Sequence, residues 1–142
     1  MLLSNEARSV IGLIIITIPT IEFGGYFLLT ELRRRNGIIR TALQGSYYRA
    51  GHAHAGVLVI LAIIAQLLID AASFPSVASS LVRAGFFLPP ILISAGFFLG
   101  APTEGEKPRR PIVLVYLGAI ILAGSALVLG LGLLLGGGAQ SP

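Results

Sequence analysis

The chain has no cysteine, little charge and only two histidines. Without cysteine it can form no disulfide, thiolate metal site, iron–sulfur cluster or covalently attached c-type haem. Charged residues make up 11% of its 142 positions, roughly half of what a soluble globular domain carries. There is no nucleophile–base–acid set, no glycine-rich phosphate loop and no metalloprotease-type histidine pair, so the chain reads as a binding protein rather than a catalyst. Neither end carries a lipidation or retention signature. The first apolar stretch lacks a basic leader and runs too long for a cleaved signal, so it is expected to stay as a membrane span.

What the sequence does have is apolar: 55% of residues are hydrophobic and the mean hydropathy is +0.90. Four stretches, 7–30, 51–70, 81–100 and 112–135, each approach the ~20 residues needed to cross a ~30 Å hydrocarbon core. Lipid offers no hydrogen bonds to the backbone, which leaves helices or a closed barrel, and continuous hydrophobicity over that length selects helices. The expected fold is an all-α integral membrane four-helix bundle, a single domain over 1–142.

The basic residues fall in two of the connections. Arg33, Arg34, Arg35, Arg40 and Arg49 follow the first span, and Lys107, Arg109 and Arg110 follow the third, while only Arg8 and Arg83 belong to the other side. Eight against two predicts that those connections are cytoplasmic and both termini extracytoplasmic, as in a bacterial inner or plasma membrane. The net charge of +4 therefore reads as topology rather than nucleic-acid binding, with the lipid bilayer as partner and the first-loop arginines at lipid phosphates. Residues 31–49 read first as a plain positively charged connector; the alternative lays them on the inner membrane surface, with Tyr47 and Tyr48 at the headgroup level.

Within the spans, small residues predict packing. "AGFFL" at 84–88 returns at 95–99, which stacks Gly85 above Gly96 on one helix face. The last span carries Gly118, Ala119, Ala123, Gly124 and Ser125, a pattern of bundle packing or subunit contact, so a homo-oligomer or a subunit of a membrane complex is expected. Pro19 and Pro89-Pro90 withdraw backbone donors and should bend their helices. Gln66 is expected to supply an interhelical hydrogen bond, and Asp70 to face Arg83 across the second turn.

Ionisable groups inside a span are costly, which singles out Glu22. Tyr26 lies one turn on, on the same face. On the second span "HAH" sets His52 and His54 near the same side of the membrane, and Tyr116 on the last span comes to a similar depth. Glu22, Tyr26, His54 and Tyr116 are thus the expected lining of a polar pocket that binds a small ligand or proton in the cytoplasmic half. The alternative is a haem- or metal-binding redox subunit, in which His54, with His52 or Glu22, ligates haem or a divalent metal. Residues i and i+2 of a helix diverge by about 200°, however, so the pair could share an ion only if the backbone were irregular there.

Overall fold

The computed structural model describes residues 3–33, 37–72, 74–103 and 105–136, with the backbone alone at Leu32. Arg34 and Arg35 lie outside the described residues. Four helices make up the architecture: α1 (Asn5–Arg33), α2 (Ala42–Ala71), α3 (Ser76–Gly100) and α4 (Val113–Gly136), the last led in by a 3-10 turn at Arg110–Ile112. Among the described residues there is no strand. All four are long and apolar enough to cross a membrane.

The helices are not arranged as a symmetric square. α3 sits at the centre and packs against each of the other three, α2 bridges α1 and α3, and α1 and α4 do not meet. The core runs between α2 and α3, through Val59, Ala62, Ala65, Ile69, Val82 and Phe86, closed by Ile14 from α1 and Leu129 from α4. We call the end holding the α1–α2 and α3–α4 connections the basic end, since most of the basic side chains gather there.

α2 begins nine residues before the expected 51, and this is the main correction to the sequence reading. Thr41 stands outside the helix with extended backbone, and its hydroxyl accepts the Gln44 N–H at 3.0 Å. The Gln44 side-chain oxygen in turn accepts the Arg40 N–H at 2.9 Å. This reciprocal satisfaction of orphan donors resembles a capping box, and its Thr-x-x-Gln signature was present in the sequence. Tyr47 and Tyr48 consequently belong to a helix rather than to the connector. Tyr48 packs against Phe27 of α1 at 5.8 Å and Phe98 of α3 at 5.4 Å, and Tyr47 packs edge-on to Phe97 at 5.9 Å.

The short connector is held by Glu31, which is buried. One of its carboxylate oxygens accepts the N–H groups of Ile38 at 2.5 Å and Ile39 at 3.1 Å. Gly37 must be glycine for this, because a Cβ there would lie 2.3 Å from that oxygen.

The repeated glycines of α3 pack as their spacing implied. A Cβ on Gly85 would run into the Ser125 side chain, and one on Gly96 would come 2.7 Å from the Val115 backbone nitrogen, so both glycines face α4 at close approach. α3 remains helical through Pro89 and Pro90. Neither proline can donate to the Gly85 and Phe86 carbonyls one turn earlier.

Candidate functional site

Two groups of polar residues stand out in the bundle. The first lies opposite the basic end, where the start of α1 meets the end of α2. Ser4 caps α1 by accepting the Ala7 N–H at 3.1 Å, while its own N–H and hydroxyl donate to the Asp70 carboxylate at 2.9 and 2.8 Å. Arg83, only 4% exposed, reaches from α3 into this knot. It donates to the Asp70 carboxylate, to the Gln66 side-chain oxygen at 3.2 Å and to the Gln66 carbonyl at 3.3 Å. Its Nε lies 3.4 Å from a carboxylate oxygen of Glu6, an ion pair by distance in which the N–H is not aligned for a hydrogen bond. The interhelical role of Gln66 and the Asp70–Arg83 pair were legible in the sequence. The depth of Arg83 was not, because nothing in its local sequence shows that three helices close over it.

The second cluster is built around "HAH". α2 is unbroken through 51–54, so the two rings leave it on different sides, as an i, i+2 spacing demands. His52 turns toward α1 and is seated on Gly24 and Gly25, where added Cβ atoms would lie 3.3 Å from its Nδ1 and 3.2 Å from its Nε2. His54 turns the other way. Its Nδ1 lies 2.7 Å from the Ala50 carbonyl oxygen and its ring packs on Phe97 at 5.1 Å. The rings are not brought to one ion by this chain, and no group of three His, Asp or Glu gathers at metal-binding distance among the described residues.

Each histidine lines a different concavity. His54 stands at one end of a long apolar groove of about 680 Å³ between α2 and α4. His52 lines a cavity of about 260 Å³ between α1, α2 and α3, with Thr17 and Thr20 from α1 and Phe87, Pro90 and Ser94 from α3. The threonine hydroxyls donate to carbonyls of their own helix, those of Ile14 at 2.7 Å and Thr17 at 2.6 Å. Ser94 is different. Its hydroxyl oxygen is buried and has no hydrogen-bond partner among the described residues, and the His52 nitrogens have none either.

Glu22, Tyr26, His54 and Tyr116 are not gathered into one pocket. Glu22 and Tyr26 are exposed on the outer face of α1, and Tyr116 is exposed on α4, which α1 does not touch. Among the described first-loop arginines, Arg33, Arg40 and Arg49 are all exposed, with Arg49 bonded to the Ser46 hydroxyl at 3.2 Å. Sequence reasoning missed Ser94, an ordinary serine in an apolar run. The one available signal was its place four residues after Pro90, on the helix face that the proline also occupies. No family model, curated protein or solved structure matches the chain.

Proposed function

We propose that the chain is a small multi-pass membrane protein that binds a small, largely apolar ligand within the bilayer, in the cavity between α1, α2 and α3, with Ser94 and His52 as its polar anchors. The observation that carries this reading is Ser94, a residue of the cavity lining whose buried hydroxyl has no hydrogen-bond partner among the described residues, so that a turn of its χ1 would present it to a ligand. Leaving such a group unsatisfied costs about 1–3 kcal/mol, so it is a natural receptor for a ligand oxygen or nitrogen. The lining is otherwise apolar, the usual makeup of a small-molecule site with a few polar groups fixing orientation. A dry cavity of about 150 Å³ admits benzene, so 260 Å³ suits a molecule of one or two rings.

The orientation that fits best places the basic end in the cytoplasm, on the positive-inside rule. The cavity then spans the middle of the bundle, lined by Ile14 to Gly24 of α1 and by His52 to Val59 of α2, with His52 ten residues, about 15 Å, into α2 from the basic end.

Native mass spectrometry of protein released from its own membranes tests the proposal. The wild type should carry a bound small molecule, and Ser94→Phe, which fills the cavity, should carry none. His52→Ala should retain it weakly. Wild type and Ser94→Phe each appearing only at its own ligand-free mass would overturn the assignment.

A further inference from the structure

Glu22 poses a problem that the single chain does not solve. It lies fourteen residues after Arg8 and nine before Glu31, hence about 14 Å from the nearer of the flanking charges and close to mid-membrane. It is exposed on α1, with no hydrogen bond or ion pair among the described residues. A carboxyl group facing hydrocarbon is expensive, and intramembrane carboxyls almost always face protein or water.

The residues around it form an ordered pattern. Ile15, Glu22 and Leu29 recur every seven positions, and Pro19 and Tyr26 fall four after the first two, the 4-3 spacing of a heptad seam. All five are exposed. The seam extends to Gly12, where a Cβ would meet nothing within 4 Å. Such a stripe is the shape a second helix covers, since a convex helix face offers no enclosure to a small molecule.

We infer that this face of α1 is the interface between two copies of the chain, packed about a two-fold axis along the membrane normal. Copies inserted with one orientation run parallel there, so equal residues lie at equal depth. Side chains on a helix lean toward its N-terminus. The Tyr26 phenol of one copy therefore reaches back to the level of Glu22 in the other and donates its O–H to that carboxyl. Symmetry makes the bond twice. One sequence supplies donor and acceptor at matching depth, which is why the partner is a second copy rather than a different protein. The inference stands apart from the ligand cavity, on the far side of α1.

The absence of cysteine allows a clean test by single substitution in membranes. Under mild oxidation Ile15→Cys and Leu29→Cys should form disulfide-linked dimers. Leu13→Cys, exposed but half a turn away from Glu22 on α1, should stay monomeric. Glu22→Leu should weaken dimerisation about tenfold, measured by energy transfer between labelled chains in vesicles, and Glu22→Gln, which still accepts a hydrogen bond, should do so less. Monomers at both seam positions, or equal cross-linking at Leu13, would overturn the inference. So would wild-type protein that photobleaches in single steps in sparse vesicles, a measurement that needs no variant to fold.

Discussion

Arg83 shows what one buried charge demands. Its guanidinium is enclosed by groups from two neighbouring segments, Ser4 and Glu6 at the start of α1 and Gln66 and Asp70 at the end of α2, and both terminal nitrogens of the fork are hydrogen-bonded. Arg83→Ala would leave the Asp70 carboxylate without a countercharge, held only by the two Ser4 donors, and losing one partner of a buried pair typically costs about 3–5 kcal/mol. We expect a loss of that order in reversible unfolding in mixed micelles. The double variant Arg83→Met, Asp70→Leu should lose clearly less than the sum of the single variants, because no charge is then left alone. Additive losses would show that the residues contribute separately.

Ser94 makes the opposite prediction. With no partner for its hydroxyl among the described residues, Ser94→Ala removes a desolvated polar group and should leave the ligand-free protein as stable or up to about 1 kcal/mol more stable. The same variant should bind ligand less well. A destabilised ligand-free variant would mean the hydroxyl has an internal partner. Neither residue announced its surroundings in the sequence, since a lone arginine near a span end and a serine in an apolar run are each ordinary.

At the scale of the helix, boundaries follow local chemistry and facing follows packing. The hydroxyl of Thr41 accounts for the early start of α2, so Thr41→Ala should cost about 1 kcal/mol. Hydrogen exchange should accelerate over 42–50 and stay unchanged in the second half of α2. Exchange rising throughout α2 would indicate that the cap supports the whole bundle. α3 and α4 are joined by surfaces where glycine is required. Gly96→Val places a side chain against the Val115 backbone at a spacing no Cβ tolerates, and overpacking of this kind costs about 1–3 kcal/mol. α4 should loosen from α3 while α1 and α2 stay paired, which cross-linking between introduced cysteine pairs in each helix pair would read. The spans themselves were legible in outline, each found within a few residues except at the start of α2 and α3. There Thr41-x-x-Gln44 and Pro75 set beginnings that hydropathy does not record.

For the molecule as a whole, the chain of contacts from α1 through α2 and α3 to α4 leaves both outer helices with large apolar surfaces, as lipid contact or subunit contact requires. The proposed orientation has a direct check. A cysteine at Ile38 should react with an impermeant thiol reagent only from the cytoplasmic side, and one at Ser76 only from the outer side. The reverse pattern would invert the topology without altering the fold, because the reading of sides depends on charge and the helices on hydropathy.

The sequence by itself determined that this protein is four apolar helices, since in hydrocarbon each backbone N–H must bond within its own segment and length and hydropathy alone then dictate the element. Only the tertiary structure decided which way those helices face. Apolar all round, they carry weak periodicity, and the direction of a side chain is set by which neighbour can approach closely. Gly24 and Gly25 admit His52 to α1, Phe97 takes His54 on the other flank, and Glu22 is left looking outward from a face that no helix of its own chain covers.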